Sequence, residues 1–210
     1  MPVQMYDREL ILLSCRTEFA RHGYKDTSTA ALAEAAGVSK SLIFHHFGSK
    51  KELYLSILDD CLKRARSELN LDKVPEYLDF FAAMLTFNRM KLHFFKHNPD
   101  VYRVITEALH TPADEILPEI AARYPALLDW KGEGWRSRFA AVPLKEGIDR
   151  QDAFELITGV VRFFGERFLS EVTAIATLDV AYELHCLTKL SNFLGMIRDG
   201  IEDNVKEDTK

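Results

Sequence analysis

Apolar residues recur at three- and four-residue spacings through nearly the whole chain, the period of helices buried on one side. Over residues 7–22 the repeating positions are Leu10, Leu13, Phe19 and Ala20, and Gly23 follows where a helix end favours glycine. Thr27 and Ser28 offer caps for a short helix through Ala35, and Ser39 caps a third that reaches about His46. Gly48 and Ser49 interrupt again. Ser49 with Glu52 has the form of a capping box, opening a long helix over residues 50–69. Pro75 opens the next, which runs to His97 before Asn98 and Pro99 stop it. Shorter segments follow at 100–109 and 113–123, and Trp135, Phe139 and Val142 share one face of another. Two long patterns, 150–172 and 178–200, precede a charged tail, EDNVKEDTK, that is expected to fray. No stretch alternates as a strand would, so the fold class is all-α.

The helices change character near residues 50–69. Before it they are short and punctuated; beyond it they are long and rich in Phe and Leu, as a larger helical core requires. The predicted organisation is a three-helix domain over 1–50, a connecting helix over about 50–69, and a larger helical domain over 70–210.

A 47% hydrophobic and 28% charged composition fits a folded chain, and a net charge of −5 excludes a polybasic coat for nucleic acid. The average hides an asymmetry: residues 1–66 hold ten Lys and Arg against eight Asp and Glu, leaving 17 against 24 for the remainder. Only the first third is therefore suited to meet phosphate. Cys15, Cys61 and Cys186 are far apart in sequence, which argues against a disulfide framework or clustered thiolate metal site and suits a reducing cytoplasm. Asp7, Arg8 and Glu9 interrupt the start before any long apolar run, so no signal peptide is expected. No apolar stretch approaches the ~18 residues of a membrane span.

The stretch AALAEAAGVSKSLIFHHFGSKKEL, residues 30–53, combines a small core with hydrogen-bonding chemistry. Leu32, Ala33, Val38 and Ile43 can face one another across a tight bend at Gly37, the geometry of a helix-turn-helix. The helix from Ser39 would then enter the major groove by its leading end. Ser39, Lys40 and Ser41 offer donors there; Lys40 can reach a guanine edge or a phosphate. His45 and His46 follow one turn later, Lys50 and Lys51 begin the next helix near the DNA backbone, and Ser28 is a further phosphate contact. Short amphipathic helices with glycine turns also arise as plain packing, and the pattern alone leaves that alternative open.

The block DTSTAALAEAAGVSKSLIFHHFGSKKELY, residues 26–54, resembles the DNA-binding domain of the TetR family of bacterial transcriptional regulators, with similarity over about residues 7–60. The family's Thr-Thr or Thr-Ser pair is matched by Thr27 and Ser28, its Ile/Leu-Ala pair by Leu32 and Ala33, and its Ala-Gly-Val-Ser by residues 36–39. Its closing Ser-Lys-x-x-Leu is matched by Ser49, Lys50 and Leu53. Three positions depart from it: Ser41 and Leu42 stand where Gly-Thr is common, and Phe44 replaces a tyrosine that commonly touches phosphate. The second aromatic of the family's Tyr-x-Tyr-Phe or Tyr-x-His-Phe run is His46 here. The resemblance implies a DNA-contact set of Thr27, Ser28, Ser39, Lys40, Ser41, Phe44, His45, His46 and Lys50. With no hydroxyl on Phe44, weight moves to His45, His46 and Lys50.

One such head makes few base contacts, so useful specificity needs two copies on a palindromic double-stranded operator. The last two helices suit a four-helix dimer interface, through Phe154, Ile157, Val161, Phe164 and Phe168 on one and Leu184, Leu187, Leu190 and Leu194 on the other. Internal core is the alternative, which periodicity does not separate. The helix predicted from Pro75 carries Tyr77, Phe80, Phe81, Met84, Leu85 and Phe87, too many apolar residues for one narrow stripe. The resemblance implies an inducer pocket here, for a largely apolar small molecule, with Phe81, Met84, Leu85, Asn88, Arg89, Phe139, Phe163 and Phe164 as its lining. Dense aromatic core is again the alternative. The expected function is a ligand-responsive repressor. An activator and a low-specificity DNA-binding protein share its head.

A helical enzyme is the competing class. His93 and His97 have the spacing of a helical metal pair, but no glutamate lies between them in the HExxH arrangement. His45 and His46 point apart on a helix, and no phosphate loop or nucleophile elbow occurs. Neither a catalytic metal nor a cofactor is expected.

Overall fold

A computed structural model describes residues 8–70, 73–124, 133–174 and 180–203. The named elements among these are all helices, joined by one isolated antiparallel bridge between Leu144 and Glu202. The chain divides into two compact units: Met1–Glu68 with Phe94–Trp130, and Leu69–His93 with Lys131–Lys210.

The first unit contains α1 (Arg8–Asp26), α2 (Thr29–Ala35), α3 (Lys40–Phe47), α4 (Lys50–Glu68), α6 (Pro99–His110) and α7 (Leu117–Arg123). Gly23 breaks α1 with φ 77° and ψ 170°, a left-handed turn that glycine adopts without a Cβ clash. Ser28, Ser39 and Ser49 cap α2, α3 and α4: their hydroxyls accept the backbone N–H of Ala31, Leu42 and Glu52 at 3.1, 3.2 and 3.1 Å. The inward face of α1 is Ile11, Cys15 and Phe19, spaced by four, and it is buried together with Leu32, Ile43, Phe47 and Leu53 of the same unit. Leu10 and Leu13, counted as inward from their spacing, are exposed, because the inward register is displaced by one residue. Tyr54 is buried at the centre, its ring edge-on to Phe19 and Tyr24 at 5.1 Å. Burial pushes the thiols of Cys15 and Cys61 up to about 12.

α6 packs on α1 and α4 by Val101, Val104, Ile105 and Ala108, all buried. Polar contacts run along the same seam. Thr17 donates to Asp100 at 2.8 Å, the Tyr24 amide to Glu107 at 2.7 Å and the Tyr54 hydroxyl to Glu107 at 3.1 Å. Tyr124 donates to Asp59 at 2.5 Å, and Lys51 pairs with Glu119. These ties explain why residues 94–130 cluster with the head rather than with the later helices.

The second unit contains most of α5 (Phe80–His97), with α8 (Glu133–Ala140), α9 (Arg150–Ala174) and α10 (Val180–Ile201). α5 begins later than Pro75 suggests, since the Asp79 carboxylate accepts the Ala82 N–H at 2.8 Å and supplies the cap. Tyr77 consequently lies outside the helix and is 87% exposed. Phe80 is the hub of the core, 4.9 Å from Phe139 and 6.0 Å from Trp135 between ring centroids, and Phe139 lies 5.5 Å from Phe154. Phe154, Ile157 and Val161 of α9 and Leu190 and Leu194 of α10 are buried in this core. The stripe assigned to a dimer interface is therefore, at these five positions, the subunit's own interior. Leu156, Phe163, Leu184, Phe193 and Met196 face outward instead, and Leu187 and Phe164 are half-buried. The side chain of Phe168 lies outside the described residues.

Candidate nucleic-acid interface

The turn between α2 and α3 is closed by backbone bonds: Gly37 N–H donates to Glu34 O at 3.0 Å and Val38 N–H to Ala33 O at 3.0 Å. Gly37 has φ 64°, the left-handed conformation that ends α2 and turns the chain into the Ser39 cap. Leu32, Ala33, Ile43 and Phe47 go inward, and Ser28, Ser39, Lys40, Ser41, His45 and His46 are left exposed. Two short helices thus cross over a shared apolar face while the outer side of α3 presents donors. Ser39 and Ser41 are linked hydroxyl to hydroxyl at 3.0 Å, and the His45 and His46 rings meet edge-on at 5.6 Å. Phe44 is half-buried beside them.

Lys50 is held in a defined place. Its ammonium lies 4.4 Å above the Tyr24 ring and donates to Lys25 O at 3.5 Å, which brings the start of α4 to the end of α1. Lys51 differs from it. Its hydrogen bond to Glu119 raises its own pKa and lowers that of Glu119, so its charge is directed at a carboxylate of the same unit. Thr27 is a correction to the contact set: it is 2% exposed and its hydroxyl donates to Gly23 O at 2.6 Å, which closes the turn before α2. Its polar group is consumed by the fold. Lys25, exposed next to Lys50, and Arg8, with its guanidinium 5.0 Å over the Phe47 ring, are basic groups of the head that the sequence pattern did not single out. Neither belongs to a periodic or capping pattern that would mark it.

Residues 11–57 match the family model for bacterial regulatory proteins of the tetR family. The head is a TetR-family DNA-binding domain. The chain is 24% identical to the HTH-type transcriptional regulator RutR of Escherichia coli (strain K12) over 200 residues, 92% of this chain and 90% of that protein. It is 36% identical over 92 residues to the HTH-type transcriptional repressor AcnR of Corynebacterium efficiens, a match spanning 39% of this chain and 49% of that one. A TetR-like transcriptional regulator from Rhodococcus sp. RHA1 shares the fold with a TM-score of 0.65 at 19% identity, over 90% of this chain and 94% of that one. With a TetR-family head, the protein is a DNA-binding regulator of transcription.

The residues assigned to an effector divide into two sets. Phe81, Met84, Asn88 and Phe139 are buried within the second unit, and Leu85 and Phe164 are half-buried against its core. Arg89 and Phe163 point outward and leave the candidate lining. Asn88 is a buried polar residue in this apolar setting, its amide donating to Met84 O at 2.9 Å. Among the described residues no three His, Cys, Asp or Glu side chains converge as a metal site, and no helix is long and apolar enough to cross a membrane.

Proposed function

We propose that the protein is a repressor that binds a palindromic operator in the cytoplasm as a homodimer and releases it when a largely apolar small molecule occupies the second unit. In this reading residues 1–50 read DNA, α4 connects, and residues 69–93 with 131–210, rather than the whole of 70–210, hold the effector and the second copy. The observation that carries it is the exposed row of Ser39, Lys40, Ser41, His45 and His46 on a helix whose opposite side is core. Ser39, Lys40 and Ser41 contact the groove at the leading end of α3, and Ser28, Phe44 and Lys50 meet the backbone.

The partner copy is assigned to the outward face of α9 and α10, where Leu156, Phe163, Leu184, Phe193 and Met196 expose more apolar side chain than water favours. The effector is assigned to the side of α5 that bears Phe81, Met84 and Asn88, with the Asn88 amide as the group that orients its polar end. Release requires the effector to bind one arrangement of the dimer more tightly than the other.

Selection of duplexes from a random pool by the purified protein, at one stated salt concentration, tests this. An enriched palindrome is the expected result; binding without enrichment, falling uniformly as salt rises, replaces it with a backbone-only binder. With the selected duplex, Lys40→Ala relaxes sequence preference if Lys40 reaches a base. It lowers affinity evenly, with a salt slope smaller by about one charge, if Lys40 reaches phosphate.

A further inference from the structure

Glu107 stands on α6, and its two oxygens hold two different helices of the head. One accepts the Tyr24 backbone N–H at 2.7 Å, and the other accepts the Tyr54 hydroxyl at 3.1 Å. The Tyr24 amide is open to this bond because Gly23 leaves helical geometry just before it, and a Cβ on Gly23 would come within 2.9 Å of the same carboxylate. The Tyr24 ring carries the Lys50 ammonium at 4.4 Å. From Gly23 the chain closes through Thr27, at 2.6 Å, into Ser28, the cap of α2. A single carboxylate therefore lies behind two groups that would meet the DNA backbone. Bonds to an ionised acceptor are the stronger kind, and a shared acceptor makes its donors move together.

We infer that Glu107 is a positioning residue for DNA binding: through Tyr24 and Tyr54 it fixes the turn that sets Lys50 and Ser28 against phosphate. The inference rests on the reading of Lys50 as a phosphate contact. Glu107 makes no DNA contact of its own; as an anion in a DNA-binding unit it opposes binding by charge and favours it by geometry. Those two effects separate cleanly. Glu107→Ala and Glu107→Gln remove the same charge, but the glutamine keeps an acceptor where the alanine has none.

The test is a titration of the full chain with mixed-sequence duplex DNA over a salt series, since phosphate contacts need no operator. Glu107→Ala is expected to bind on the order of threefold to tenfold more weakly than Glu107→Gln, with a salt slope lower by about one charge. Adding Lys50→Ala to Glu107→Ala should then cost little more, because both remove the same contact. Equal binding by the alanine and glutamine variants, or losses that simply multiply in the double variant, overturns the inference. Lys50→Ala alone separates the two layers. If it weakens binding while the Glu107 variants stay equal, the contact reading stands and the positioning role falls. If it changes nothing while the Glu107 variants differ, Lys50 is not a contact and Glu107 acts through Ser28. If neither changes, both fall. Should Glu107→Ala not fold, Tyr54→Phe removes one of the two bonds and keeps the ring, and a loss in the same direction but smaller is expected. Unchanged binding in Tyr54→Phe, with Glu107→Gln binding no more weakly than the parent, then overturns the role.

Discussion

In the first unit Asp60, Asp100, Glu107, Glu115 and Glu119 each take a donor from α1 or α4: Arg16, Thr17, Tyr24 twice and Lys51. In the second unit the core between helices is made of rings, with Phe80 against Phe139 at 4.9 Å and Phe87 against Trp135 at 5.5 Å, while Arg150 donates to Phe139 O at 2.8 Å and Arg198 to Asp79 at 3.1 Å. A hydrogen bond specifies an angle, whereas apolar contact specifies chiefly a volume and tolerates rearrangement. The unit that must present α3 at a set orientation is thus tied by directional bonds. The unit assigned to a largely apolar effector has a core packed with groups that can repack. Buried thiols and phenols make the first unit sensitive to protons, and the ring core makes the second sensitive to lost volume.

The sharpest way to break that contrast is Phe139→Ala. A ring 2% exposed, touching both Phe80 and Phe154, is expected to cost about 3–5 kcal/mol in urea unfolding. A loss no larger than that of a surface pair would mean that the aromatic core is not what holds the second unit.

Alkaline pH acts on the other side. The thiols of Cys15 and Cys61 ionise at an ordinary 9.0 when unfolded but are held protonated to about 12 by burial in the folded state. Their contribution is complete below pH 9 and is lost as pH climbs toward 12, at about 1.4 kcal/mol per pH unit for each thiol. Tyr24, Tyr54 and Tyr124 of the same unit are also shifted upward, each mainly by burial, and act in the same direction above their ordinary 10.0. Urea unfolding at about pH 8 and pH 10.5, read from the methyl signals of Ile11 and Ile157, should show the first falling more than the second. Equal falls would erase the distinction.

The smallest effect belongs to Arg123→Ala. Its pair with Glu52, at 3.2 Å, is about two-fifths exposed on both sides, so ~0–1 kcal/mol is expected from thermal unfolding. A larger loss would show that the peripheral ties act as one network with Lys51 and Glu119.

The head was readable because its decisive contacts are local. Gly23, Ser28, Ser39 and Ser49 act on residues within four positions of themselves, and those caps and breaks fall where the sequence places them. The start of α5 was not, because Pro75 and Asp79 both offer an opening and only the Asp79 carboxylate reaches an amide. A helical stripe reports that a face is apolar without naming what covers it, so Phe154, Ile157, Val161, Leu190 and Leu194 read as interface and turned out to be core. Thr27 looked polar in a polar motif, and its burial depends on Gly23 having left the helix. Glu107 meets Tyr24 across 83 residues of chain, with neither periodicity nor capping to announce it.

Cys15 and Cys61 are 0% exposed and hold their protons at neutral pH, so a thiol reagent reaches them only when the first unit comes apart. The native chain therefore carries its own clock for that opening. The rate at which these two sulfurs are labelled counts the excursions of the head, and DNA that grips the head should slow it.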